Sequence, residues 1–310
     1  MNPRSATDPV VLDQTVWQAR RAAHEARVDA WTGPHLERRR RGEKHPVEDF
    51  LFDYYAQRPA ALRRWHPGFG VALVGPSARE YVDLKGYVAT STPESDDVVT
   101  VSVEHVCAQR RLLETLHRLL TATAARPAQL GCFGMHEWAM VYRLAQDDVR
   151  HSAWPLRLGP EGTDAVVESH RIACSHFDAF RFFTGPARPR NILNPGRDDR
   201  DAFEQPGCLH AGMDLYKHAF RLTPMVPSEL VADCFALARD IRVLDMRASP
   251  YDLSDLGYSP VAVETPEGKQ EYVSAQRRFA ERGAPLRARL VAECERLLAV
   301  GQESRSAGSR

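Results

Sequence analysis

Leu230, Cys234, Leu237, Ile241 and Leu244 recur at alternating spacings of four and three residues. That is the period of an α-helix with one face in a core, and it fits no strand. Ser228 stands where such a helix needs a cap. A second stripe, Val99, Val103, Val106, Leu113, Leu116 and Leu120, predicts a long helix over 96–125, with Asp96 and Asp97 at its positive end. Further helices are expected over 11–32, 47–57, 134–145, 207–222 and 269–298, and from a Ser175 cap to 183. Strands are expected at 68–74 and 81–85, joined as a hairpin through Gly75-Pro76-Ser77. A third is expected near 165–172, where Ala165-Val166-Val167 reads as extended. Residues 86–95, 184–206 and 246–268 read as loops.

The fold class is therefore a mainly α-helical single globular domain with a small β-hairpin or short sheet. Residues 1–44 read as an N-terminal helix and basic loop, 45–300 as the main helical domain, and 301–310 as a disordered Gly/Ser-rich tail. Arg38-Arg39-Arg40-Arg41 reads as a solvated turn.

Composition excludes several functions. The 310 residues carry a formal net charge of +0, so no bulk attraction draws the chain to nucleic acid or to an acidic membrane. DNA is not a favoured partner on that ground. No apolar run is long enough to span a bilayer, and the start is polar and broken by prolines, unlike a secretory leader. Six cysteines lie far apart without a CxxC pair, which fits reduced thiols in the cytoplasm and argues against a four-cysteine zinc site. No P-loop, Rossmann fingerprint or HExxH is present, so no nucleotide cofactor is expected. Homo-oligomerisation is left open.

Histidine next to carboxylate is the chemical signature of the chain. His136 and Glu137 follow Gly134, His176 and Asp178 follow Ser175, and His210 lies four residues before Asp214. Each group sits among cysteines, glycines and aromatics. Buried imidazoles and carboxylates must be paired, hydrogen-bonded or metal-bound. His210 and Asp214 share a helix face, on which Lys217 and Arg221 follow. The three histidines stand just inside expected helix starts, which can converge on one pocket. The expectation is a shared centre formed by His176 and His210, with His136 third and Asp214 as carboxylate ligand or brace. A divalent iron, zinc or manganese ion is the suspected cofactor. His136, Glu137 and Asp178 are the candidate acid–base groups. The loop at 184–206, with Arg188, Arg190 and Asn194, is expected to border the pocket.

The segments Leu130-Gly131-Cys132-Phe133-Gly134-Met135-His136-Glu137-Trp138, Cys174-Ser175-His176-Phe177-Asp178-Ala179-Phe180-Arg181, Gln205-Pro206-Gly207-Cys208-Leu209-His210 and Asp245-Met246-Arg247-Ala248-Ser249-Pro250-Tyr251-Asp252 resemble a family of actinobacterial proteins of uncertain function. Its members are often labelled 3-methyladenine DNA glycosylase. The label implies release of alkylated bases from DNA. The Leu-Pro-Gly-type hairpin of helix-hairpin-helix glycosylases is not recognisable here. The residues themselves point to a metal-dependent oxidoreductase or hydrolase acting on a small polar or aromatic substrate. A metal-free hydrolase or transferase and the glycosylase are the alternatives.

Overall fold

The computed structural model describes residues 9–92 and 95–307. In chain order it contains β1 (Val10–Leu12), α1 (Gln14–Arg41), α2 (Phe50–Tyr54), α3 (Pro59–Arg63), β2 (Val71–Val74), β3 (Tyr87–Thr92), β4 (Ser95–Val101), α4 (Val103–Ala108) and α5 (Arg110–Ala124). These are followed by α6 (Met135–Ala139), α7 (Gly159–Ser169), α8 (Phe177–Phe180), α9 (Arg200–Phe203), α10 (Leu209–Arg221), α11 (Ser228–Arg247) and α12 (Pro266–Ala307). The fold is mainly α-helical with one small four-stranded sheet.

α11 is the central helix. All five stripe residues are buried in the main core, beside Phe235 and Ala238. α10 packs along it, and a Cβ on Gly212 would stand 2.7 Å from Ile241 Cδ1. α11 thus returns along α10, and the start of α10 faces the end of α11. That pairing positions the site described below. α12 lies across both, and α5 packs on α12 through a stripe that buries Leu113, Leu116 and Leu120. α1 belongs to the same core, since Trp17 and Val28 are fully enclosed and Trp17 Nε1 donates to the Val74 carbonyl at 3.0 Å.

The sheet runs β1-β2-β4-β3, with β1 parallel to β2 and both other pairs antiparallel. Here the chain departs from the expected helix over 96–125. Residues 95–101 form β4, with Leu73 opposite Val99 and Ala89 opposite the same residue on the other side. Val98, Val99, Thr100 and Val101 are β-branched and suit a strand paired on both edges. Asp96 and Asp97 are therefore strand residues. The helix starts only after Ser102, whose Oγ accepts from His105 N at 3.1 Å. The expected loop over 86–95 is largely strand β3. The expected strand at 81–85 is turn instead, because Tyr81 ends a short 3-10 segment and packs edge-on against Trp17.

The expected strand near 165–172 is also corrected. Residues 159–169 form α7, with Pro160 and Glu161 in its first turn and Thr163, Val166 and Val167 buried at helical spacing. Only Ile172 makes an isolated bridge, to Asn191. The helix expected over 134–145 stops at Ala139, and Arg143 turns left-handed with φ 60°. The helix expected to 183 ends at Phe180, and that over 47–57 shrinks to α2. The arginine run is not a turn but the last turn of α1, at the negative end of the helix dipole. Arg38 donates to Asp49 at 2.5 Å and Arg41 to Glu43 at 2.8 Å. α12 continues to Ala307 rather than ending near 298, through good helix formers such as Gln302, Glu303 and Arg305. Residues 308–310 of the expected tail lie outside the described residues. Among the described residues no helix is long and apolar enough to cross a membrane.

Candidate metal centre

His136 stands second in α6, after a backbone reversal. Phe133 and Gly134 are both left-handed, with φ 47° and 68°. Gly134 is suited to this conformation, which a residue with a side chain adopts only under strain although Tyr272 and Ala248 leave room for a Cβ. His210 stands second in α10, which Cys208 caps with extended backbone. The turn before it is held by Gln205, whose Oε1 accepts from Gln129 N at 2.9 Å and Gly207 N at 2.7 Å. Both imidazoles thus enter from first helical turns. The ring centroids of His136 and His210 are 4.6 Å apart, edge to face. His176, the residue before α8, brings its ring centroid to 5.4 Å from that of His210.

The carboxylate that joins the first two rings is Asp245, from the last turn of α11. One ligand atom each from His136, His210 and Asp245 lies within 4.8 Å of the other two. Asp245 is fully buried, and its Oδ1 lies 2.8 Å from His136 Nε2. Its Oδ2 accepts from Arg242 Nη1 at 2.8 Å, and the same nitrogen donates to Glu137 at 2.9 Å. Burial pushes the Asp245 carboxyl up, but the His136 and Arg242 charges outweigh it and hold it below the usual range. Burial also opposes charge on His136, yet Asp245 raises its pKa above the ordinary value. His210 differs. Burial, then the neighbouring His136, lowers its pKa well below normal. His210 is 6% exposed, and unlike those of His176 its ring nitrogens are not among the enclosed polar atoms left without a partner.

The other expected residues go elsewhere. Asp214 does not reach the His136–His210 group, because it is the hub of a separate ion-pair cluster. It accepts from Tyr55 Oη at 2.9 Å, Arg200 at 2.8 Å and Lys217 at 3.2 Å. Burial would raise its pKa, but the contact with His176 and then the Lys217 charge hold it well below normal. His176 belongs to this cluster, 3.4 Å from Glu204 and 3.5 Å from Asp214. Neither of its buried ring nitrogens makes a hydrogen bond. Asp178 accepts from Lys217 at 2.8 Å and pairs with Arg181 at 3.2 Å. Glu137 is engaged with Arg242, so neither Glu137 nor Asp178 is a free acid–base group.

A cavity of about 770 Å³ opens on the centre and is lined by His136 and His210. Cys132, Cys174 and Cys208 also line it. Burial raises all three thiols, Cys174 to about 12, so they stay protonated at neutral pH. All six cysteines are free of disulfides. Ile192 and Leu193 bring the loop at 184–206 to the cavity wall. Arg188, Arg190 and Asn194 are not part of that wall.

Asp245 is not among the ligands that the spacing along the sequence points to. It follows Leu244 in the apolar stripe, and Arg242 three residues earlier is its partner. A carboxylate and an arginine one turn apart inside a buried helix was the available signal. The chain matches no family model, no curated protein and no solved structure.

Proposed function

We propose that this chain is a metal-dependent enzyme, an oxidoreductase or hydrolase, in which His136, His210 and Asp245 hold a divalent cation at the closed end of the cavity. The observation that carries the reading is the grouping itself: His136 and His210 line the cavity, and one ligand atom each from these two and Asp245 lies within 4.8 Å of the others. Two histidines and one carboxylate are the donor set of open iron(II) sites, and zinc and manganese accept the same donors. The bound cation would supply Lewis acidity or an activated water.

The chain's own residues do the rest. Arg242 holds Asp245 and Glu137 in place from behind, as outer partners of metal ligands do. The Asp214 cluster fixes the wall from which His176 approaches His210. Buried Cys174, half-buried Cys132 and Cys208 and apolar side chains share the wall, so the protein rather than bulk water would set much of the field on a bound substrate.

The test is elemental analysis of tag-free protein purified without chelator. The expected result is one iron, manganese or zinc per chain in wild type and in Asp214→Asn, and loss from His210→Ala and Asp245→Asn. Metal-free wild type that also fails to take up each of the three ions in titration would refute the reading. A second arrangement is favoured by the 2.8 Å contact between His136 and Asp245. In it His136 is an oriented general base and no metal is needed. Absence of metal together with an intact His136–Asp245 pair would leave that arrangement standing.

A further inference from the structure

We infer that the cavity receives an anionic molecule, an apolar body with a carboxylate or phosphate group, whose charge is met by Arg126, Arg171 and Lys269. This deepens the reading above. It rests on that reading for the chemistry at the inner end of the bound molecule, whereas the binding itself needs no metal.

The argument begins with the charges on the wall. Three permanent cations line the cavity, and no aspartate or glutamate does. The chain as a whole holds equal numbers of acids and bases, so a wall of one sign is a local segregation rather than a reflection of composition. None of the three cations forms an ion pair among the described residues. Arg126 spends one nitrogen on the Ala122 and Glu204 carbonyls, at 3.1 and 3.2 Å. Lys269 lies 5.8 Å from the Phe133 ring centroid. Most other arginines of the fold have a carboxylate partner, as Arg157 has in Glu264 and Arg200 in Asp214. Unneutralised cations converging on a concave, low-dielectric wall focus a positive potential there.

Burial sets the direction of the ligand. His136 and His210 are buried, Arg126 and Lys269 half-buried and Arg171 exposed. The cationic end is therefore the solvent end, and the imidazoles lie at the closed end. Phe133, Met135, Ile172, Phe203 and Leu209 give the same cavity an apolar lining. The volume is that of a typical small-molecule site. A cation at the inner centre would add positive charge and strengthen the preference. Arginine suits carboxylate and phosphate alike through its fork of donors.

The experiment uses 2-naphthoate, 2-naphthyl phosphate and 2-naphthylmethylammonium as probes of one shape and different charge. Each is titrated calorimetrically into the full chain, with and without EDTA. Both anions should bind in both conditions, and the ammonium should bind at least tenfold more weakly. Arg171→Glu with Lys269→Glu should weaken anion binding at least tenfold, and Arg171→Gln alone by a smaller factor. Both variants place their changes at exposed or half-buried positions, and circular dichroism should match wild type. The tighter of the two anions tells which group the natural ligand carries. Equal binding of the ammonium, or undiminished anion binding by both variants, would overturn the inference. Protein that takes up none of iron, manganese and zinc in titration yet still selects the anions would refute the metal centre alone.

Discussion

Replacing Arg242 by methionine should strand two carboxylates inside the protein. Arg242 is 2% exposed. It donates to Asp245 at 2.8 Å, Glu137 at 2.9 Å and the Pro46 carbonyl at 3.3 Å. Its guanidinium carbon lies 3.8 Å from the Phe50 ring centroid. Methionine keeps much of the volume and removes every donor. Two unit charges about 4 Å apart attract by about 4 kcal/mol at an effective dielectric of 20, and part of that is offset by the desolvation of the arginine in the wild type. Measured losses on breaking one side of a buried pair are about 3–5 kcal/mol. Asp245 retains His136 as a partner, whereas Glu137 has no second ion pair among the described residues, so the largest share of the loss belongs to Glu137. Equilibrium urea unfolding followed by circular dichroism, with EDTA present so that metal adds no linkage, should give a loss of about 3 kcal/mol or more for Arg242→Met. Adding Glu137→Gln should restore part of it. A loss under about 1 kcal/mol, or a double variant no better than the single one, would refute the claim that these charges are mutually dependent.

Gly268→Ala should destabilise by about 1–3 kcal/mol or prevent folding, because the added Cβ would stand 1.9 Å from the Ala262 carbonyl oxygen; a thermal melt checks this. Stability should fall as pH drops from 6.5 towards 4. Burial, then the Arg64 charge, lowers His66 to about 4, so below pH 6.5 the unfolded chain binds a proton that the native chain refuses. One such group accounts for about 3 kcal/mol across that window, and urea midpoints of wild type and His66→Gln should converge as pH falls. Tyr55→Phe removes the hydroxyl that donates to buried Asp214 at 2.9 Å and should cost about 1.5–3 kcal/mol, read from the same urea titration.

Local periodicity carried far in this chain, and pairing between distant segments decided the rest. The α11 stripe was legible because every residue in it repeats at the helical period. The same logic misassigned 95–101. Val99, Val103 and Val106 continue a helical stripe on paper, but β2 and β3 flank the segment and only their register reveals it. Thr163, Val166 and Val167 show the reverse, since valines alone suggested a strand where Pro160 and Glu161 begin a helix. At the centre, the approach of His136 to His210 was readable from two helix starts preceded by Gly-containing turns, whereas His176, expected to share the centre, stands against Glu204 and Asp214 in the neighbouring cluster. Asp214 was the natural carboxylate on one helix face. Asp245 instead arrives from the neighbouring helix, by a return that no spacing along the sequence encodes. Arg200 and Lys217 had already claimed Asp214.

The donors of the candidate centre come from α6 and, far along the chain, from the start of α10 and the end of α11, two consecutive helices. Until α11 has folded back along α10, Asp245 and His210 belong to opposite ends of a helical pair, and His136 depends on a separate reversal at Phe133 and Gly134. An unfolded chain offers the three groups no common position. Whatever ion or ligand they hold will therefore bind the native state and not the denatured one, and its affinity will appear directly as added resistance to unfolding. Occupancy of the centre becomes a thermometer of the whole core. A distant substitution that loosens α10 from α11 will weaken binding without touching a ligand, and saturation of the site will raise the melting temperature of such a variant.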